Sequence, residues 1–308
     1  MKNIDLGKIG FFGTEIALGI MRIAGMSVKD ATNTISTAYE NGINFYDHAD
    51  IYGKGTSEEI FAKSIKEAKI PRENIILQTK CGIKPIRDGF RTFDFSYNHI
   101  LSSVESSLKR LNVEYIDSLL LHRPDTLMEP HEISEVFYKL HTSGKVRHFG
   151  ISNFHPLQIE LLQKYLNHKL IINQLQFSLM HTYIIDRGFY ANRPENASID
   201  HTGDILEYCR LKDITIQAWS PFQSPQGVFL DNPIYKKLNE NINSLAQKYN
   251  VTNSAIVAAW IRRHPANMQV IIGTTNPQRI KDTIKSVDIN LTREEWYELY
   301  HSTGQKLP

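Results

Sequence analysis

Residue types that exchange protons stand directly after three short apolar runs. Asp47 and Tyr52 lie in Asn44-Phe45-Tyr46-Asp47-His48-Ala49-Asp50-Ile51-Tyr52-Gly53, Lys80 follows Gln78-Thr79, and His122 follows Leu120-Leu121. A tyrosine near its unperturbed pKa of about 10 is protonated at neutral pH but gives up its proton slowly. An ammonium beside the phenol favours the ionised form and makes the group a better acid. The same stretch offers a second reading, a metal-dependent hydrolase built on Asp47, His48, Asp50 and His122, which leaves Tyr52 and Lys80 without a task. Taken singly, each residue reads as structure: a turn cap, a solvated lysine, a packed histidine, a half-buried tyrosine. Their order on successive segments is what points to chemistry.

Those segments alternate in type. The runs Ile16–Met21, Asn44–Asp47, Ile75–Lys80, Ser118–His122, Val146–Ser152, Ile172–Gln176, Ile214–Ser220 and Gln269–Gly273 read as strands. Amphipathic stretches follow each, at Val28–Glu40, Glu58–Ala68, Tyr97–Arg110, Glu132–Thr142, Pro156–Tyr165, Asp204–Leu211, Ile234–Tyr249 with Ser254–Arg263, and Pro277–Ser286. Ser57 with Glu58 and Glu59 suggests a cap and an acidic first turn, and Asn276-Pro277 places a proline at a first helical position. Eight strand–helix units suit a closed (β/α)8 TIM barrel, because closure leaves no edge strand. Two additions are expected: an N-terminal β-hairpin of Ile4–Leu6 with Glu15–Leu18, and a last helix at Arg293–His301. In such barrels the active site lies at the C-terminal ends of the strands, where Asp47, Tyr52, Lys80 and His122 fall.

Composition removes several alternatives. The chain has 308 residues, 41% hydrophobic and 22% charged, with no Gly/Ser or Pro-rich linker, so residues 1–308 are expected to form a single barrel domain. A net charge of +2 without a basic run gives no footprint for nucleic acid. Cys81 and Cys209 belong to no metal or CxxC pattern and are expected to be reduced, packed thiols. Neither a signal peptide nor a membrane-spanning run is seen, so the expected location is the cytoplasm.

Asp47-His48-Ala49-Asp50-Ile51-Tyr52-Gly53 followed by Ser57-Glu58-Glu59 resembles the signature of the aldo-keto reductase family. Lys80 after its strand and His122 in Leu-His-Arg-Pro-Asp resemble that family's other two catalytic positions. Gly144–Phe154 and Gly273–Ile280 are similar to two further family motifs, so the resemblance covers nearly the whole chain. It implies an NADP-dependent reductase of aldehydes or ketones, with Tyr52 as general acid, Lys80 as the partner lowering its pKa, Asp47 holding Lys80 charged, and His122 orienting the carbonyl. Hydride transfer to a carbonyl builds negative charge on its oxygen, which is why a proton and oriented donors are required.

The resemblance also implies a cofactor wall. No G-x-G-x-x-G follows any strand, so a Rossmann site is not indicated. Ser152, Asn153 and Gln174 match the positions that hold the nicotinamide carboxamide, and Trp219 stands where the family usually stacks a tyrosine. Ser220, with Phe222 close by, would reach the pyrophosphate. Met21 and Arg22 would pass beneath the nicotinamide ribose. Gly273, Thr274, Thr275 and Arg279 would meet the adenosine 2′-phosphate, although Gly273 stands where many relatives carry a lysine. NADP is therefore expected rather than NAD, and no metal. The expected partner is a small carbonyl compound rather than nucleic acid or membrane, with the oligomeric state open between monomer and weak oligomer.

Substrate contacts are expected from Ile23–Met26, Ile83–Phe95, Met180–Asn192 and Gln223–Leu230, with Phe90, Phe93, Tyr183, Phe189, Tyr190, Phe222 and Phe229 as aromatic candidates. A different class of function also fits the resemblance: a nicotinamide-binding sensor or regulatory subunit with little turnover.

Overall fold

The protein's computed structural model describes residues 1–87, 90–189, 202–305 and 307. Eight parallel strands close a barrel: β3 (Ile16–Gly19), β4 (Phe45–Asp47), β5 (Ile76–Cys81), β8 (Ile116–Leu121), β9 (Val146–Ser152), β10 (Leu170–Gln176), β11 (Thr215–Trp219) and β14 (Gln269–Ile272). These are the eight runs expected from sequence, each displaced by no more than two residues at an end. Four of them, β4, β5, β8 and β14, are buried at every position, as a parallel strand covered on both faces must be.

The wrapping helices are α1 (Val28–Glu40), α2 (Thr56–Glu67), α3 (Tyr97–Leu111), α4 (Pro130–Thr142), α5 (Pro156–Gln163), α6 (Tyr183–Phe189), α7 (Ile205–Leu211), α8 (Lys236–Tyr249), α9 (Asn253–Arg262), α10 (Pro277–Ile284) and α11 (Arg293–Ser302). Asn276 caps α10 by accepting from the Gln278 and Arg279 amides, with Pro277 at the first position as its sequence implied. Ser57 does not cap α2. That place belongs to Gly55 in a left-handed turn, while Ser57 is buried and its Oγ donates to the Ile20 carbonyl at 2.7 Å. Glu58 is also interior, accepting from Thr79 Oγ1 at 2.8 Å and Arg110 Nε at 2.7 Å. These two motif residues bind elements together.

The N-terminal hairpin exists with a different second strand. β1 (Asn3–Leu6) pairs with β2 (Phe11–Thr14), whereas residues 16–18 of the expected partner belong to the barrel. Gly7 and Gly10, both left-handed, make the tight return that the sequence placed too late. Ile4 and Leu6 pack in one cluster with Ala17, Phe45, Ile76, Leu120 and Ile172, so the hairpin plugs the barrel where the strands begin. The last helix is locked by a reciprocal pair: Trp260 Nε1 donates to the Trp296 carbonyl and Trp296 Nε1 to the Trp260 carbonyl, both at 3.0 Å, with the rings stacked.

The loops differ from a plain open rim. Residues of Ile83–Phe95 form a second hairpin, β6 (Ile83–Arg87) with β7 (Phe90–Phe93), and β12 (Gln223–Ser224) pairs with β13 (Gly227–Val228). Phe229 is fully buried and Phe189 packs on Tyr297 and Tyr300, so both are packing residues rather than substrate contacts. Phe93 and Tyr183 are exposed, and Tyr190 lies outside the described residues. Cys81 and Cys209 are buried free thiols; burial pushes Cys209 up to about 12.

Leu6→Ala removes a fully buried side chain from the plug. It is expected to destabilise the fold by about 2–5 kcal/mol in denaturant titration. A loss below about 1 kcal/mol would mean that the hairpin adds little to the core.

Candidate active site

Side chains alternate along a strand, so Gln78 and Lys80 of β5 point into the barrel while Thr79 between them points out to Glu58 on α2. Asp47 ends β4, in register with Gln78. Tyr52 stands in the following turn, where Gly53 and Lys54 both adopt left-handed φ, 57° and 56°. A Cβ at Gly53 would lie 2.4 Å from the Ala24 Cβ, so glycine is required for the turn to close. His122 follows β8, and its amide donates to the Cys81 carbonyl at 2.9 Å. Three neighbouring strands thus bring the four expected residues to one rim.

Lys80 Nζ is the centre of the group. It is fully buried and donates to Asp47 Oδ1 and Oδ2, both at 2.8 Å, to the His48 carbonyl at 2.7 Å and to Tyr52 Oη at 3.2 Å. Because Tyr52 Oη accepts from lysine, the phenol's own proton is not spent in that contact. Burial disfavours the ammonium, but Asp47 and the Tyr52 phenol outweigh it and hold the lysine pKa above its ordinary value. Removing one partner of such a pair leaves an uncompensated buried charge and costs about 3–5 kcal/mol.

Tyr52 departs from the sequence expectation in one respect. Burial raises its pKa above the ordinary tyrosine value; Lys80 pulls it down, as expected, without overcoming burial. The phenol therefore stays protonated around neutrality, with the ammonium ready to stabilise phenolate once the proton leaves. His122 crosses Tyr52 edge-on, ring centres 6.0 Å apart, and burial followed by the charges of Lys80, Arg123 and Arg91 pushes its pKa down to about 2. It is a neutral imidazole.

The remaining acid and imidazole groups of the stretch do not converge. The His48 ring packs edge-on against Phe61, is fully buried with neither nitrogen bonded, and is pushed down to about 3 by burial and Lys80. Burial and then Glu58 push Asp50 up to about 7. Among the described residues no group of three or more His, Cys, Asp or Glu side chains is placed to share a metal ion.

Tyr52 and His122 open onto a cavity of about 940 Å³ across the barrel mouth. Every other expected cofactor residue lines it: Met21, Arg22, Ser152, Asn153 and Gln174 toward the tetrad's strands, then Trp219, Ser220, Phe222, Gly273, Thr274, Thr275 and Arg279. Asp47 lines it too, while Lys80 stands behind the wall. Asn153 and Ser220 both adopt left-handed φ, 62° and 54°, which turns the chain sharply out of β9 and β11. Asn153 Nδ2 donates to Ser152 Oγ at 2.8 Å, and Ser152 Oγ to the Gln174 carbonyl at 2.9 Å. Arg22 Nη1 donates to the Gly273 carbonyl at 2.6 Å, and a Cβ at Gly273 would come within 2.8 Å of that nitrogen. The missing side chain at residue 273 is thus the space that the Arg22 guanidinium occupies.

Sequence reasoning missed part of this wall. Arg123 lies with its guanidinium 5.6 Å from the centre of the Trp219 ring, and Thr252, Asn253 and Ser254 at the start of α9 also line the cavity. Of the buried glutamines beneath Asp47, Gln78, Gln217 and Gln269 were missed as well, although a glutamine in each of several apolar strands was a visible signal.

His48 and His122 affect stability with one sign. Their folded pKa values, about 3 and about 2, lie below the roughly 6.5 of an unfolded histidine. Unfolded chains then bind protons that the native state refuses, so stability is full above about pH 6.5 and falls as pH drops. Asp50 acts oppositely, its raised value near 7 favouring the native state at lower pH. His48→Phe is expected to flatten the decline of Tm between about pH 7 and 5; an unchanged slope would refute that assignment.

The model of the Aldo/keto reductase family matches residues 15–301. An uncharacterized oxidoreductase of Bacillus subtilis (strain 168), YcsN, is 35% identical over 100% of both chains. A 6-dehydroglucose reductase of Agrobacterium fabrum is 31% identical over 93% of each. A solved thermostable aldo-keto reductase, crystallised with the inhibitor epalrestat, superposes with a TM-score of 0.77 over 98% of this chain and 100% of its own, at 22% identity. Motifs, barrel and relatives agree: the chain belongs to the aldo/keto reductase family, a family of carbonyl-reducing oxidoreductases.

Proposed function

We propose that the chain reduces an aldehyde or ketone to an alcohol with NADPH bound across the barrel mouth, and that Tyr52 Oη delivers the proton. The observation that carries this reading is the fully buried Lys80 ammonium, clamped by Asp47 and bonded to a phenol that opens on the cavity.

Family members use nicotinamide cofactors, and the residues present fit one. Both Gln174 amide contacts run inward, to Asp47 Oδ1 and Gln217 Oε1, each at 3.0 Å, which leaves its carbonyl oxygen as an acceptor for a carboxamide N–H. Asn153 and Ser152 supply further polar atoms, and Trp219 an aromatic face. Arg279, at the N-terminus of α10, suits a 2′-phosphate by charge and geometry. Arg22, seated against Gly273, restores a cation beside the position where relatives carry lysine.

When bound, the nicotinamide supplies the hydride. The chain's residues handle the oxygen. The neutral His122 ring orients the carbonyl by a hydrogen bond without competing for the proton. Tyr52 gives its proton to the oxygen as negative charge grows there, and the Lys80 ammonium stabilises the phenolate left behind. Asp47 keeps that ammonium charged and in place.

NADPH consumption across aldehydes, ketones and quinones tests the activity, with a sugar aldehyde of the kind named for the Agrobacterium relative included. Tight NADPH binding without turnover over the whole panel would replace this reading with a nicotinamide-binding regulatory role. Tyr52→Phe is expected to keep NADPH affinity and to lose about 10²–10⁴-fold in kcat; a near wild-type rate would refute its role as acid. Arg279→Ala is expected to weaken NADPH binding about tenfold or more, the loss of a charge-assisted hydrogen bond, while leaving NADH binding nearly unchanged. Equal losses for both cofactors would point away from a 2′-phosphate contact.

A further inference from the structure

The interior of such a barrel is ordinarily filled by bulky branched side chains. Here a band of it is filled by carboxamides. Gln78, Gln217 and Gln269 are fully buried, as is Ser118, and Gln174 nearly so. Register joins them: Asp47 with Gln78 and Gln78 with Ser118 on one side, Gln174 with Gln217 and Gln217 with Gln269 on the other.

The hydrogen bonds have one possible direction. The Thr14 carbonyl can only accept, so Gln269 turns its Nε2 to it, at 2.6 Å, and its Oε1 the other way. Gln217 Nε2 then donates to Gln269 Oε1 at 2.7 Å and to Gln78 Oε1 at 3.2 Å, leaving Gln217 Oε1 as acceptor. That oxygen receives Nε2 of both Gln78 and Gln174, at 2.8 Å and 3.0 Å. Each of these amides has one N–H left, and each gives it to Asp47 Oδ1, at 2.6 Å from Gln78 and 3.0 Å from Gln174. Ser118 Oγ completes Gln78 Oε1 at 2.8 Å. No amide in the chain can flip without setting two donors or two acceptors face to face.

We propose that Gln78 and Gln217 are positioning residues for the proton donor: the amide chain, oriented from the Thr14 carbonyl, fixes the Asp47 carboxylate from below so that Lys80 is held against Tyr52. Gln217 has a second duty, since it also orients Gln174, so that the acid side and the cofactor side of the site share one anchor. The inference rests on the reading of Tyr52 as acid and Gln174 as a cofactor contact.

The test uses the full-length protein, NADPH and benzaldehyde as a generic carbonyl probe, with Tyr52→Phe as reference. Gln78→Leu is expected to lower kcat about tenfold or more, the loss of one hydrogen bond to a charged group, with the KM for benzaldehyde and the Kd for NADPH unchanged. Gln217→Leu is expected to lower kcat and also to weaken NADPH binding several-fold. Gln78→Glu supplies a signature that packing alone does not. Protonated, its single hydroxyl keeps the bond to Asp47 and gives up the one to Gln217; ionised, it repels a carboxylate at hydrogen-bond distance. Its kcat is expected to be highest at low pH and to fall as pH rises, while the wild-type rate holds.

Folded Gln78→Leu with wild-type kcat, or Gln78→Glu with a wild-type pH profile, would overturn the proposal even if Tm falls. Should Gln78→Leu fail to fold, Gln78→Glu decides by its profile. Should benzaldehyde prove no substrate, NADPH binding decides: unchanged affinity in Gln217→Leu overturns the shared anchor. An active Tyr52→Phe would instead overturn the reading of the site itself, whereas an inactive Tyr52→Phe beside unaffected glutamine variants removes only the network's role.

Discussion

A lysine ammonium without solvent contact is the constraint around which this site is arranged. Lys80 Nζ needs acceptors for all its hydrogens inside the barrel, and the structure provides them from the Asp47 carboxylate, the His48 carbonyl and the Tyr52 phenol. A charge in that position is tolerated only when paired and fully hydrogen-bonded. Asp47 is therefore bound to Lys80 by stability as well as by chemistry, and Tyr52 joins the pair through the bond its phenol oxygen accepts from Lys80.

The same pair organises the polarity of the surroundings. His48 and His122 lie beside the ammonium, and burial together with that charge keeps both neutral. One of them ends up packed on Phe61 and the other facing the tyrosine. Two histidines on similar sequence footing thus have different uses, separated by which way the backbone turns them. Beneath, the glutamines add donors to the one carboxylate oxygen that faces them. The barrel gives up apolar filling there, and the hairpin plug with Leu6 closes the end where filling is apolar again.

Much of this was legible before any fold was known. Alternation of β-rich runs with amphipathic stretches located all eight barrel strands, because burial on both faces forces apolar composition and helical wrapping forces periodicity. Asp47, Tyr52, Lys80 and His122 were recognisable by order, and many of the residues that line the cavity by motif. Most of what escaped had no local signal. The hairpin return at Gly7 and Gly10 was assigned too late, since two short strands and a barrel strand read alike in sequence. Ser57 looked like a cap because its neighbours are those of a capping turn, yet its hydroxyl serves the Ile20 carbonyl on another segment. The paired tryptophans that hold the last helix meet across 36 positions.

By itself the sequence determined the residue types, the strand count and the rim on which the acid groups fall. Those follow from composition and period, which act over a few neighbouring residues. Only tertiary structure decided how those groups interact: that Lys80 is fully buried, that burial outweighs its pull on the Tyr52 phenol, that Arg22 fills the space left by Gly273, and that four glutamines join in one hydrogen-bonded chain ending on Asp47. Such outcomes depend on desolvation and on distances between strands far apart in the chain. They come into being when the barrel closes.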